Sequence, residues 1–147
     1  MATPYPTVRM DTDGISAARL MTEHNRPGLI VVDENDHPIA ILPGSQVLRM
    51  LVPRYVQDDP TLARVLDEGF ADKMCDALSG KTVKDLMPKE RSVLPVVAPD
   101  DTVLEIAAIM ARTRSPLVAV VEERSKTAPL LGAVSASMLL GVVLPAE

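Results

Sequence analysis

Aromatic side chains are almost missing from this chain: its 147 residues include no tryptophan, two tyrosines and one phenylalanine. Proteins that hold single-stranded nucleic acid stack bases on aromatic rings, and no such platform exists here. A net charge of −5 also repels a phosphate backbone, so nucleic acid is not expected as a partner. Cysteine is scarce as well. Cys75 stands alone, which excludes an intrachain disulfide framework and a thiolate metal cluster. The longest apolar run, 130–144, is 15 residues interrupted by Ser135 and Ser137, short of the ~20 that span a bilayer. The opening Met1-Ala2-Thr3-Pro4-Tyr5-Pro6 lacks the basic start and apolar run of a signal peptide, so a cytoplasmic location is expected.

Aliphatic residues fill the gap. Apolar residues make up 47% of the chain, eight of them methionine, so the core is expected to be Val, Leu, Ile, Ala and Met. That length suits one domain, or two half-size units sharing a core.

The chain repeats itself. Sliding it by 89 places sets Pro6 on Pro95, Asp11 on Asp100, Met21 on Met110, Pro27 on Pro116 and Val31-Val32 on Val120-Val121. Three extra residues near Arg124-Ser125-Lys126 shift the offset to 92, and 39–42 then lies over 131–134 with Leu48 over Leu140. Collinear matches of this kind mark an internal repeat.

Each copy reads as β-α-β-β-α. A short extended segment (Thr7-Val8, Val96-Val97) precedes a polar helix start, Asp11-Thr12-Asp13 or Asp100-Asp101-Thr102. Val103, Ile106, Ala107 and Met110 share one helix face, and Ile15, Ala18 and Met21 are read as its counterpart. Apolar strands 29–32 and 117–121 follow, then turns, then strands 39–42 and 130–134, then closing helices from about Ser45 and Ser137. The fold class is therefore α/β (α+β), with two units at 1–56 and 81–147 joined by a linker helix at 57–80. Asp59-Pro60 suits a helix start, and Leu62, Val65, Leu66, Phe70, Met74 and Leu78 keep helical spacing to Ser79-Gly80. This helix packs on the module or on a partner. Residues 81–87 read as a short helical turn closed by Pro88.

Catalytic and metal constellations are not apparent. His24 and His37 lie among polar loop residues without partner ligands. Cys75 has no neighbouring base or basic cluster to activate it. Asp33-Glu34-Asn35-Asp36 lacks the spacing and final Glu of a calcium loop and suits a hairpin turn. No G-x-x-x-x-G-K-[ST], G-x-G-x-x-G or G-x-S-x-G occurs. An enzyme is not expected.

The sequence resembles the CBS (cystathionine-β-synthase) domain family, whose members pair in tandem as a Bateman module. Val83-Lys84-Asp85-Leu86-Met87-Pro88 is similar to the family's V-x-D-x-M-P lead-in, and 97–103 to its entry into the first helix. Residues 116–122 resemble its next strand, and Gly132-Ala133-Val134-Ser135 its G-h-h-[S/T] step. The resemblance covers about 5–52 and 81–143. It implies two units packed about a pseudo-twofold, a homodimer through those units, and regulatory sensing of an adenosine-type ligand (AMP, ADP, ATP or S-adenosylmethionine) on behalf of a separately encoded transporter or enzyme. No cofactor is required.

In that family backbone near the entry strand reads the base, apolar side chains sandwich it, and [S/T]-x-x-D holds phosphate and ribose. The implied ligand residues here are Val96, Val97, Pro116, Leu117, Val118, Ala133, Val134, Ser135 and Met138 in copy two, and Ile41 and Gln46 in copy one. Arg112 and Arg114 either meet an anionic ligand or stand at a solvated helix end, and Lys89 and Arg91 are basic residues within reach of a cleft. Both copies depart from the motif: Met138 and Gln46 occupy the Asp position, and Pro43 and Ala40 replace the hydroxyl residue and glycine of copy one. A thioether cannot take the place of a carboxylate on ribose hydroxyls, and Gln46 offers only a neutral amide. Copy two, which keeps Ser135, is the expected phosphate side. Pro43-Gly44-Ser45 also reads as a tight turn capping the last helix of copy one. A ligand-free pair acting as a dimerisation or docking scaffold is the alternative.

Overall fold

A computed structural model of the chain describes residues 2–65, 76–88, 94–122 and 128–145. Copy one comprises β1 (Thr7–Arg9), α1 (Gly14–His24), β2 (Gly28–Val32), β3 (Pro38–Pro43) and α2 (Gly44–Leu51). Next come α3 (Arg54–Asp58), a 3-10 helix (Pro60–Val65) and the short α4 (Val83–Leu86). Copy two repeats the order with β4 (Val96–Val97), α5 (Val103–Thr113), β5 (Leu117–Val121), β6 (Leu130–Ser135) and α6 (Ala136–Val143). Each copy forms a three-stranded sheet, in the orders β1-β2-β3 and β4-β5-β6.

The repeat holds at the level of single hydrogen bonds. Ile30 N–H donates to Pro6 O at 3.2 Å, and Ala119 N–H to Pro95 O at 3.0 Å. After the first helices Arg26 N–H returns to Met21 O and Ser115 N–H to Met110 O, each at 3.2 Å. Gly44 N–H reaches Pro27 O at 2.8 Å, and Ala136 N–H reaches Pro116 O at 2.9 Å. The offsets of 89 and 92 residues are thus repeated in the backbone itself.

Local chemistry explains the elements. Asp13 caps α1 by accepting the Ser16 N–H, and Thr102 caps α5 by accepting the Glu105 N–H, each at 3.2 Å. Every residue of β2 and of β5 is buried, which is why both read as unbroken apolar runs without alternation. β5 pairs in parallel with β4 (Val96 opposite Ala119) and antiparallel with β6 (Leu117 opposite Ser135), with an irregularity at Val120/Val121. The copy-two core comprises Val97, Ile106, Met110, Val118, Val120, Val134 and Leu139. Asp33-Glu34-Asn35-Asp36 is a hairpin turn, as its residues suggest: Asp33 Oδ1 accepts the N–H groups of Asn35 (2.9 Å) and His37 (3.0 Å), and Asp36 takes φ 60°.

Two expectations change. The buried face of α1 is Gly14, Ala17 and Met21, whereas Ile15 and Ala18 are only half-buried. The offset of 89 places Gly14 and Ala17 on Val103 and Ile106, so small residues replace bulky ones on that face and escape a search for apolar bulk. The α-helical start expected at Asp59 is instead a 3-10 helix, with Asp59 Oδ1 accepting the Thr61 hydroxyl at 2.6 Å. Most of the expected linker helix, including Leu66, Phe70, Met74 and Cys75, lies outside the described residues, as do Lys89, Arg91 and 124–126.

The chain divides into two compact units that cut across the repeats. One gathers residues 1–7, 30–40 and 92–147, and the other 8–29 and 41–91. In the first, Thr3 pairs antiparallel with Ala133 of β6 through N–H···O bonds of 3.0 and 2.9 Å. There too Leu130 N–H donates to Asp36 O at 2.8 Å, and His37 Nδ1 lies 2.7 Å from Ala128 O. In the second, Val83 N–H donates to Thr12 O (2.8 Å), Lys84 N–H to Met10 O (2.9 Å) and Gly14 N–H to Lys81 O (2.8 Å). Each copy's lead-in is therefore stitched to the other copy.

Gly28 starts β2 where a Cβ would stand 2.8 Å from Leu42 O and 3.2 Å from Pro43 Cα, both backbone atoms. Gly28→Ala is expected to destabilise the fold by about 1–3 kcal/mol through overpacking. Gly141, within α6, has open space where its Cβ would be, and Gly141→Ala should stabilise by about 0.5–1 kcal/mol. Denaturant unfolding of the two variants checks the opposite signs.

Candidate functional site

Pro116, Leu117, Val118, Ala133, Val134 and Ser135 are brought together at one end of the second sheet, whereas Val96 and Val97 pair farther along β5, with Ala119 and Val120. α5 ends on Arg114, held left-handed at φ 55°, and Ser115 Oγ then donates to Leu117 O at 2.6 Å as the chain enters β5. The pairing of Leu117 with Ser135, and of Ala136 N–H with Pro116 O, sets Pro116, Leu117 and Val118 beside Ala133, Val134 and Ser135. Val97, Leu117, Val118, Ala133 and Val134 are buried, so their side chains serve the core. Val96, Ser135 and Met138 are half-buried, and Pro116, Arg112 and Arg114 are exposed. Ser135 Oγ caps α6 by accepting the Met138 N–H at 3.2 Å and lies 3.1 Å from Ser137 Oγ.

The two family Asp positions do the same job in both copies. Met138 Sδ accepts the Thr3 hydroxyl at 3.8 Å, inside the first unit. Gln46 Nε2 donates to Leu86 O at 3.0 Å, inside the second. Each side chain holds the lead-in that precedes the opposite copy. Sequence reasoning found these positions but not their occupants, because neither Thr3 nor the Leu86 carbonyl carries a local pattern. Ile41, the other copy-one candidate, is half-buried on β3.

Beside Gln46 lies a feature the sequence reading missed. A cleft of about 560 Å³ is lined by Gln46, Arg49, Met50, Val52, Arg54, Gln57, Asp58, Met87 and Pro88. Gln57 Nε2 donates to Arg49 O (3.0 Å) and Val52 O (2.7 Å), fixing the bend from α2 into α3. A polar cleft of this size accommodates a metabolite. In copy two a smaller apolar groove of about 260 Å³ runs along Ala107, Met110, Ala136, Leu139, Leu140 and Val143. His24 is exposed, while His37, read as a solvated loop residue, is half-buried against Ala128 O. Among the described residues no group of three or more His, Cys, Asp or Glu is placed to hold a metal, and no helix is long and apolar enough to cross a membrane.

These features define a class: a two-copy α/β module in which paired sheets, helix ends and clefts are built by a repeat. The chain belongs to the CBS domain family, whose model matches residues 1–53 and 83–145. It is similar to a CBS domain-containing protein of unknown function from Kribbella flavida, at 53% identity and a TM-score of 0.86 over 98% of this chain and 95% of that one. The CBS domain of a CBS domain-containing membrane protein from Sphaerobacter thermophilus follows at 26% identity and 0.70, covering 97% and 83%. CBSX2 from Arabidopsis thaliana shares the fold at 22% identity and 0.68, covering 96% and 89%, and a structure of CBSX2 in complex with AMP aligns at 0.62. A comparison with the curated proteins finds no match.

Two outcomes follow from the site's own geometry. Arg114 occupies a left-handed position that Asn25 fills in copy one at φ 50°, and such backbone costs a bulky L-residue about 1 kcal/mol. Arg114→Asn is therefore expected to raise the thermal midpoint by roughly 2–4 °C, read by calorimetry. In the copy-two lead-in Asp85 Oδ2 accepts the Thr82 N–H at 3.0 Å and the Thr82 hydroxyl at 3.2 Å. That amide above all, then the hydroxyl, Lys81 and Lys84, hold the carboxyl below its ordinary 3.8 against a desolvation penalty. A depressed folded pKa contributes stability above the unfolded value and loses it as pH falls through the folded one. The Thr82 amide resonance should thus titrate with a midpoint below 3.8, and a midpoint at or above that value contradicts the contact.

Proposed function

We propose that this CBS pair is a regulatory module that takes an adenosine-type nucleotide at the copy-two sheet end and, as a homodimer, modulates a separately encoded partner. The observation that carries the reading is the convergence of Pro116, Leu117 and Ser135 at the N-terminus of α6, with Arg114 at the end of α5 that leads into them. The Ser135 hydroxyl suits a phosphate oxygen, and the exposed guanidinium groups of Arg112 and Arg114 suit its charge. The AMP complex of CBSX2 supports the ligand class. Exposed Leu104, Leu140, Val142, Val143 and Leu144 support self-association. A bound nucleotide stabilises one arrangement of the copies, and the partner responds to the change in population.

The docking scaffold is the second reading, favoured by one observation. Met138 and Gln46 already hold the lead-ins, so both ribose positions are engaged without a ligand.

Thermal-shift titration with AMP, ADP, ATP, NAD and S-adenosylmethionine separates the two, because a ligand that binds only the folded state raises its midpoint. The sensing reading expects stabilisation by at least one adenine nucleotide at millimolar concentration; silence from all five leaves the scaffold. Met138→Asp provides the stronger arm. It restores a carboxylate at the ribose position and sits at the third residue of α6, where an acid also suits the helix dipole. AMP affinity is expected to rise about tenfold, the scale of a charge-assisted hydrogen bond.

A further inference from the structure

We infer that the copy-one cleft between α2 and α3 is a separate anion site that takes the phosphoryl end of a small phosphorylated ligand through Arg49 and Arg54. The claim stands apart from the nucleotide reading at copy two, and either holds without the other.

The charge at this cleft carries the inference. At the position where the family has a ribose-binding carboxylate, this chain has uncharged Gln46, and its amide is committed to Leu86 O at 3.0 Å. The α2 side of the cleft thus carries no acid at that position to repel phosphate. Arg49, in the last turn of α2, and Arg54, at the start of α3, line the same 560 Å³ cleft. Among the described residues neither guanidinium has an ion-pair partner, and Asp58 is the only acid among the described lining residues, against two arginines. Unpaired guanidinium groups with five donors each present the fork that phosphoryl oxygens accept.

A helix C-terminus would ordinarily count against an anion here, because its last carbonyls carry partial negative charge. Two of those carbonyls, of Leu48 and Arg49, and that of the following Val52 are already engaged. Val52 N–H takes Leu48 O at 2.9 Å, and the Gln57 amide takes both Arg49 O and Val52 O. The same amide fixes the bend that sets Arg54 on the wall opposite the end of α2. Gln57 therefore positions the site, while the two arginines supply its charge. Among the described lining residues ribose hydroxyls have one carboxylate, Asp58, whereas phosphate has two guanidinium groups, so the charge favours phosphate.

Isothermal titration calorimetry of the full chain with inorganic pyrophosphate, orthophosphate, AMP and ATP tests this. Pyrophosphate and ATP are expected to bind, with affinity falling as salt rises. Arg49→Gln/Arg54→Gln should weaken both by about tenfold or more, the scale of charge-assisted hydrogen bonds. Arg19→Gln/Arg64→Gln removes the same charge from exposed positions outside the cleft and should leave them unchanged. Equal losses in both double variants overturn the site in favour of general charge attraction. Absence of pyrophosphate binding at millimolar concentration overturns it outright. AMP binding that ignores Arg49→Gln/Arg54→Gln but responds to Met138→Asp belongs to copy two. With pyrophosphate silent, that pattern refutes the anion site while sustaining the nucleotide reading. Both arginines are exposed, so the variants are expected to fold, and unchanged unfolding midpoints verify it.

Discussion

The N-terminal lead-in lies along β6 only because residue 132 has no side chain: a Cβ there would meet Thr3 O at 2.8 Å. The second lead-in meets copy one at another glycine, Gly14, where a Cβ would stand 3.2 Å from Lys81 O. Two close backbone approaches thus tie each lead-in to the opposite copy. Their consequence is global. Neither copy is a self-contained piece, and the compact units draw residues from both halves of the sequence. A cut between the copies would separate Thr3 from Ala133 and Thr82 from Asp13, each an antiparallel bridge.

The same exchange constrains the sites. Once a lead-in is docked, the side chain at the third position of the last helix faces it, and Met138 and Gln46 have settled into that role. Methionine suits Thr3 because its sulfur accepts weakly and its flexible chain fills irregular space. Glutamine suits Leu86 because a carbonyl needs a donor and a carboxylate has none to give. The departures from the family motif are therefore coherent with the packing. They exchange a potential ligand contact for an internal one.

Much of this was legible in the sequence, for identifiable reasons. The repeat, the strand positions and the helix starts at Asp13 and Thr102 follow from periodicity and capping, which act over a few residues. The face of α1 was misread because Gly14 and Ala17 are buried by closeness rather than by bulk. Contacts between Thr3 and Met138 span 135 positions, and no local signal announces them. Arg49 and Arg54 look unrelated in sequence because Pro53 breaks the helix between them. The Gln57 amide closes that break and brings their side chains to one cleft.

A duplicated fold also explains why the copies can diverge in chemistry without diverging in shape. The backbone bonds repeated at Ile30 and Ala119, and at Gly44 and Ala136, involve no side chain, so substitutions at the helix starts leave them intact. Copy two keeps a hydroxyl at Ser135 but uses it to cap α6. Copy one has Pro43 at that point, with no side-chain cap, and opens a charged cleft toward the other end of α2. In copy two the Ser135 side chain is committed to the cap, whereas copy one starts α2 without a side-chain cap and carries its arginines beside the far end of that helix. Arg49 and Arg54 stand exposed there, outside the buried core, so packing does not fix the residue type at either position.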